Sequence, residues 1–191
     1  MAVVSMMLPF GTTAPPFVLH DVVTGQVYSL DSFVGKAALL VMFLCPHCPY
    51  VEHVQDGLAR IGQDYQETGL GIIGISSNDP AQYPDDAPER LKNMAQQLKF
   101  RFPLCFDDSQ EVAKAYKAAC TPDFYLFDAQ RRLVYRGQFD DSRPGGNRPV
   151  TGRDLRAAID AVLAGTAVNA DQKASIGCSI KWKPGNAPSD A

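Results

Sequence analysis

The chain has 191 residues, 46% of them hydrophobic and 20% charged, with a formal net charge of -3. This length is typical of one domain, and the hydrophobic content excludes an intrinsically disordered protein or a coiled coil. No apolar run approaches the roughly 18 residues of a membrane helix, and no cluster of Lys and Arg indicates nucleic-acid binding. The first ten residues lack the features of a secretory signal, so we expect a cytoplasmic protein with no nucleic-acid or membrane partner.

Hydrophobic patterns in the first half of the chain alternate between those of strands and those of helices. After an irregular lead-in over residues 1–16, residues 17–30 have the pattern of a β-hairpin. Residues 38–44 form a continuous apolar run, which is typical of a parallel strand buried on both faces. A helix follows, with an apolar stripe over residues 50–65, and residues 70–75 have the pattern of a second buried strand.

The second half continues this alternation and ends in a stretch without clear periodicity. The elements we expect there are a polar loop over 76–87, a helix over 88–98, a short strand over 100–106, a helix opened by a capping box of Asp108 and Glu111, a hairpin over 123–138, and a last helix capped by Thr151 and ended by Gly165. The pattern therefore predicts an α/β fold with a central mixed sheet flanked by helices and an N-terminal β-hairpin. We assign residues 1–166 to this domain and residues 167–191 to an extended C-terminal tail.

Two cysteines stand where the first buried strand ends and the long helix begins, in the run Cys45-Pro46-His47-Cys48. A helix N-terminus offers free backbone N–H groups and a positive dipole end, and both stabilise a thiolate. We expect Cys45 to be the more exposed thiol with a depressed pKa, and Cys48 to attack a mixed disulfide formed on Cys45. Pro46 would preorganise the turn, and a charged His47 would further stabilise the thiolate.

The remaining cysteines and one carboxylate are candidates for supporting roles. Cys105 follows an apolar strand pattern and is predicted to be a small buried hydrophobe. Cys120 and Cys178 are candidates for secondary redox chemistry, in which Cys178 would resolve an oxidised Cys45 or pair with Cys120. Glu52, one turn into the helix, is the nearest carboxylate in sequence and the candidate base.

Metal binding is the alternative interpretation of the same segment. Cys45, His47, Cys48 and His53 offer four ligand atoms of the types that zinc and copper prefer, within nine residues. Three of them lie in or near one helical turn, which makes tetrahedral closure difficult. A metal-binding chaperone without turnover is therefore the rival from a different functional class.

At this point the chain resembles a known family. Its order of elements is similar to the thioredoxin fold, and its hairpin and insertion resemble the peroxiredoxin-type branch, the alkyl hydroperoxide reductase/thiol-specific antioxidant group. The resemblance covers residues 8–165, and a peroxiredoxin-like subgroup with a Gly-Cys-x-Ile-Lys-Trp-Lys tail is also similar, here at residues 177–183. The matching pieces lie at residues 14–17, 29–33, 43–45, 121–124 and 135–137.

The resemblance implies further site residues. Pro122 would be cis and lie against the cysteine pair, and the Thr121 backbone would hydrogen-bond the extended chain of a substrate. We therefore expect a thiol–disulfide oxidoreductase that needs no bound cofactor. Its partners would be a disulfide-bearing protein or small molecule and a thiol reductant.

The chain departs from the peroxidases of this group at two positions. Those proteins carry Pro-x-x-x-Thr-x-x-Cys around the peroxide-reactive cysteine. Counted back from Cys45, the Pro and Thr positions hold Ala38 and Met42, and counted from Cys48 they hold Val41 and Cys45. Reduction of hydroperoxides through a sulfenic acid at Cys45, an antioxidant activity, is thus the rival function within the same fold.

Overall fold

A computed structural model describes residues 2–188 of the protein, which form ten strands and four α-helices. Two short 3₁₀-helices cover Leu30–Phe33 and Pro84–Asp86. The strands are β1 (Ala2–Val4), β2 (Val18–Asp21), β3 (Val27–Ser29), β4 (Ala38–Phe43), β5 (Leu70–Ser76), β6 (Leu104–Phe106), β7 (Cys120–Thr121), β8 (Asp123–Phe127), β9 (Leu133–Gly137) and β10 (Ile176–Ser179). The helices are α1 (Pro49–Asp64), α2 (Pro88–Gln97), α3 (Glu111–Ala115) and α4 (Arg153–Leu163).

The main sheet has seven strands in the order β3-β2-β6-β5-β4-β8-β9. β4 is parallel to β5 and antiparallel to β8, so the predicted mixed sheet is confirmed. The predicted N-terminal hairpin is also confirmed, because β2 and β3 pair antiparallel. None of the helices within residues 2–188 is long and apolar enough to span a bilayer.

The strand β4 lies at the centre of the fold because all six of its side chains are buried. Successive side chains of a strand point to opposite faces, so β4 contributes to two apolar clusters. Leu40 and Met42 pack with residues of α1, α2 and α4 on one face, and Val41 and Phe43 pack with Tyr116 and others on the second face. This double burial keeps the carboxyl end of β4, where the cysteine pair begins, in a fixed position.

Two of the predicted helix caps are wrong. The helix α3 begins after Gln110, which has φ +64° and makes no side-chain cap hydrogen bond. Asp107 rather than Asp108 serves this helix, because its Oδ2 accepts the Ala113 backbone N–H at 3.0 Å. The N-cap of α4 is Gly152 rather than Thr151, and it has φ +66°, which favours glycine.

Both chain ends are more ordered than the sequence patterns indicate. The lead-in over residues 1–16, predicted to be irregular, contains β1. The tail contains β10, which lies between β1 and β7 in a second, three-stranded antiparallel sheet. Short strands with mixed polarity give a weak periodic pattern, so only the pairing with distant strands defines them. The tail therefore becomes part of the structure around the cysteine pair.

Candidate functional site

The two cysteines flank the junction between β4 and α1. Cys48 is the N-cap of α1, and Pro49 occupies the first helical position, where its missing N–H is not needed. Cys45 Sγ lies 3.1 Å from Thr121 Oγ1, and the Cys48 thiol donates a hydrogen bond of 3.1 Å to the Thr121 carbonyl oxygen. The peptide bond between Thr121 and Pro122 is cis, which confirms the geometry that the resemblance implied. Both sulfurs are thus held against the same residue.

The cysteine pair is more deeply buried than the sequence predicts. Cys45 is 1% exposed and Cys48 is 0% exposed, so the expected difference in exposure between the two thiols is negligible. The hydrogen bond between the two thiols, together with burial and the nearby charge of Asp86, raises the pKa of Cys45. The same contact lowers the pKa of Cys48, against the effect of burial. The two pKa shifts are opposite in direction and favour the negative charge on Cys48, not on Cys45 as the sequence predicts.

A buried carboxylate holds His47 beside the pair. His47 Nδ1 lies 2.7 Å from Asp86 Oδ1, and the Asp86 side chain is fully buried. Asn78 Nδ2 donates a hydrogen bond of 2.7 Å to the other oxygen of Asp86, so both carboxylate oxygens are bound. The His47 ring also stacks on Tyr83, with 6.1 Å between the ring centroids and 4° between the planes. These contacts fix the orientation of the imidazole.

Glu52, which the sequence offers as the candidate base, is not the carboxylate that the structure places beside Cys45. Glu52 is exposed on α1, whereas Asp86 places a carboxylate oxygen within 4.8 Å of Cys45 Sγ. Sequence analysis missed Asp86 because the polar segment over residues 76–87 contains several aspartates, and the sequence does not indicate which of them lies near the cysteine pair. Only its burial, together with the contact to His47, distinguishes it.

The predicted four-ligand metal set is not assembled. In the part of the chain that the structure describes, the donor atoms that come together, all within 4.8 Å of one another, belong to Cys45, His47 and Asp86. His53 instead places its Nε2 3.0 Å from Ser142 Oγ. His53, the fourth ligand of the metal hypothesis, thus contacts the loop that follows β9 and not the cysteine pair.

The three other cysteines differ in their burial and in their position relative to the pair. Cys105 and Cys120 are both 0% exposed, and burial raises the pKa of each thiol, for Cys105 to about 12. Cys178 lies on β10 and is partly exposed. Burial and a hydrogen bond to Cys48 raise its pKa to about 11. The structure thus brings Cys178 to Cys48, while Ser179 is the residue of β10 that faces Cys120.

The backbone edge that the resemblance assigns to a substrate is occupied by the protein's own tail. Thr121 faces Cys178 in the antiparallel pairing of β7 with β10. A Cβ on Gly177 would lie 2.0 Å from the Thr121 carbonyl oxygen, so only glycine permits this approach. A substrate chain can pair with Thr121 only after β10 moves away.

The buried Asp123, which follows the cis proline, gives a test of the site's electrostatics. Ser5 and Tyr125 donate hydrogen bonds of 3.0 and 2.9 Å to its Oδ2, but burial dominates and raises its pKa to about 6. The folded state therefore binds more protons than the unfolded state between about pH 4 and 6, and stability falls as the pH rises through this range. Relative to Asp123→Asn, the wild type should lose roughly 2 kcal/mol of unfolding free energy between pH 4 and pH 7.

Urea unfolding at several pH values between 4 and 8 measures this difference. The control is Asp31→Asn, which removes an exposed carboxyl and should leave the shape of the stability curve unchanged. Parallel curves for the wild type and Asp123→Asn would contradict the raised pKa.

The sheet order, the cysteine pair at the junction of β4 and α1, and the cis proline define a thioredoxin-like fold. Residues 10–136 match the model of the AhpC/TSA family. The chain belongs to this family, as the resemblance predicted.

Three relatives illustrate the similarity. The chain is 26% identical over 127 residues to the thiol-disulfide oxidoreductase ResA of Bacillus thuringiensis, covering 66% of this chain and 68% of that protein. A solved structure of an uncharacterised conserved protein from Geobacillus kaustophilus has 54% identity and a TM-score of 0.94, with 96% and 97% of the two chains covered. A hypothetical protein from Sinorhizobium meliloti has 48% identity and a TM-score of 0.93, with 95% and 99% covered.

A more distant solved structure supports the fold alone. The thioredoxin domain of a thiol-disulfide oxidoreductase from Bacteroides vulgatus has 23% identity and a TM-score of 0.58. The match covers 68% of this chain and 89% of that chain.

Proposed function

We propose that this protein is a thiol–disulfide oxidoreductase whose redox pair is Cys45 and Cys48. The observation that carries the proposal is that both thiols contact one residue, with each sulfur 3.1 Å from a polar atom of Thr121. Two sulfurs held this close at a helix N-terminus can form a disulfide with little movement of the backbone. Membership of the AhpC/TSA family and the likeness to ResA support the same function.

The reaction begins at Cys45. The Cys45 thiol passes its proton to the Cys48 sulfur and attacks one sulfur of a substrate disulfide, so that a mixed disulfide forms and the other substrate sulfur leaves as a thiolate and takes up a proton. Cys48 then attacks the Cys45 sulfur and releases the second substrate thiol. The substrate is reduced by two electrons, and the protein holds a Cys45–Cys48 disulfide that an external thiol reductant returns to the dithiol.

His47 and Asp86 lie beside the cysteine pair in this scheme. His47 Nδ1 is 2.7 Å from Asp86 Oδ1, and one donor atom of each residue lies within 4.8 Å of Cys45 Sγ. The imidazole is thus placed to hydrogen-bond the sulfur that carries charge during the reaction. Asp86 acts through His47 and is a positioning residue.

The partners in this scheme are a disulfide-bearing protein or small molecule and a thiol reductant, and the scheme includes no bound cofactor. Ala38 and Met42, which occupy the Pro and Thr positions of the family's peroxidases, are both buried in β4 at 0% exposure. Neither side chain offers a hydrogen-bond donor to a peroxide. Fast reduction of hydroperoxides is therefore expected only if other groups replace those two residues.

The test compares two oxidants on the fully reduced protein. We expect the cysteine pair to exchange rapidly with a small aromatic disulfide and to lose thiols slowly to hydrogen peroxide, both followed by thiol titration and peptide mapping. Cys105→Ala removes a thiol on the opposite face of the sheet and should leave both rates unchanged. Rapid loss to peroxide, ending in one intramolecular disulfide, would instead establish a peroxidase and overturn the proposal.

A further inference from the structure

The tail strand β10 brings a third thiol to the cysteine pair. Cys178 faces Thr121 across the antiparallel pairing, and Thr121 contacts both Cys45 and Cys48. Because Gly177 has no side chain, β10 can approach the Thr121 backbone so closely that a Cβ at this position would lie 2.0 Å from the Thr121 carbonyl oxygen. The three thiols therefore converge on one residue of the cis-proline loop.

Cys178 is placed beside Cys48 in particular. It packs against the apolar cluster that contains both cysteines of the pair, and it faces Thr121, whose carbonyl oxygen accepts the hydrogen bond from the Cys48 thiol. Lys181 contributes positive charge near Cys178, which favours its thiolate, and the Lys181 ammonium is held by Ser179 at 2.8 Å. The neighbouring thiol, Cys120, is fully buried, and the negative charge of Asp123 adds to burial in raising its pKa.

Cys178 also differs from the other cysteines in its access to solvent. Cys45, Cys48, Cys105 and Cys120 are all buried, and Cys178 is partly exposed. A disulfide confined to the buried pair must wait for the fold to open before an external thiol can reach it. A disulfide that includes Cys178 has one sulfur within reach of solvent.

We propose that Cys178 is a third redox cysteine, which exchanges with the Cys45–Cys48 disulfide to form a Cys48–Cys178 disulfide. This inference rests on the proposed function, because the pair must first be oxidised by a substrate. The Cys178 thiolate attacks Cys48 Sγ, a Cys48–Cys178 bond forms, and the Cys45–Cys48 bond breaks. Cys45 leaves as a thiolate and takes up the proton that Cys178 lost, so no electrons enter or leave.

The exchange has two consequences for the reaction. Cys45 becomes free to attack again while the oxidising equivalents remain on the protein, and the external reductant meets a disulfide with a partly exposed sulfur. The bond also ties β10 to α1 and so fastens the tail over the cis-proline loop. Oxidation would therefore add a covalent link to a tail strand that is already docked by strand pairing in the reduced protein.

The first experiment uses Cys45→Ser, in which Cys48 has lost its partner. Mild oxidation of this variant with diamide should remove two thiols and produce a Cys48–Cys178 link as the main product, identified by non-reducing peptide mapping. The matched control adds Cys178→Ser and Ser179→Cys, which moves the tail thiol by one residue to the other face of the strand. The control should show no link to Cys48.

A second measurement uses the wild type in a glutathione redox buffer. Peptide mapping should find Cys45–Cys48 and Cys48–Cys178 links in exchange, and Cys178→Ser should retain only the first. If Cys45–Cys48 forms while Cys48–Cys178 is found in neither protein, the third-cysteine proposal is overturned and the proposed function stands. If Cys45→Ser keeps the wild-type exchange rate, the proposed function fails instead, whatever the mapping shows for Cys178.

Discussion

Cys45→Ser should slow the reduction of a disulfide substrate by roughly a thousandfold or more, because it removes the nucleophile of the first step. Serine is nearly isosteric with cysteine, so the hydrogen bond to Thr121 Oγ1 and the buried packing should survive. The rate is measured with insulin or an aromatic disulfide in the presence of a thiol reductant. A matching loss of folding stability, seen in a urea titration, would show that the change acted on the fold and not on the chemistry.

Cys48→Ser should fail at a different step. The first attack by Cys45 remains, but the mixed disulfide has no internal thiol of the pair to resolve it, so the substrate stays attached. Mass spectrometry under non-reducing conditions should detect this adduct on Cys45. The absence of an adduct, with turnover close to that of the wild type, would mean that another thiol performs the resolution.

The fold is largely predictable from the sequence because its signals are local. The apolar run that becomes β4, the cysteine pair before a long amphipathic stripe, and the turn residues before β8 each identify an element without knowledge of the rest of the chain. The two thiols of the pair are also close in sequence, and a single turn of backbone decides their separation. The amino-acid sequence alone is therefore enough to single out Cys45 and Cys48.

The rest of the site depends on contacts between residues far apart in sequence. Asp86 reaches His47 across 39 positions, and β10 meets Thr121 from a tail that has no periodic pattern. Burial of Cys45 could not be predicted either, because the residues that cover it come from distant segments of the chain. The expected low pKa of Cys45 was wrong for this reason, and Asp86 could not be identified from the sequence as a carboxylate near Cys45.

The tail has its own link to the histidine. Asn78, which donates to Asp86, also accepts the Lys181 backbone N–H at 2.9 Å through its Oδ1. A movement of the tail therefore removes a hydrogen bond from the side chain that positions Asp86. The tail that carries Cys178 thus also supports the polar contacts of His47, through a residue that lies after the end of β10.

Gly177→Ala should separate β10 from the cis-proline loop. The added methyl group would lie 2.0 Å from the Thr121 carbonyl oxygen and 2.6 Å from its carbonyl carbon. Both are backbone atoms, and no change of side-chain rotamer can relieve the clash. We expect a loss of about 3 kcal/mol in unfolding free energy, which is the upper part of the usual range for overpacking, and a displaced tail.

Trp182, the single tryptophan of the chain, reports the displacement. It is partly buried against the apolar cluster on the second face of the sheet, so release of the tail should shift its fluorescence emission to longer wavelength. Release should also raise the rate at which Cys48 and Cys178 react with an alkylating reagent. Both signals arise from one movement and should change together.

Gly185→Ala is the control for this experiment, because it adds a methyl group to the same tail where no atom lies within 4 Å. Its φ of +75° makes alanine cost about 1 kcal/mol locally, but β10 should remain docked and the Trp182 emission should not shift. If Gly177→Ala retains the wild-type emission and the wild-type protection of Cys48, the tail does not depend on this close approach. The burial of the pair must then come from other segments, since a strand that tolerates the methyl group cannot be clamped against Thr121.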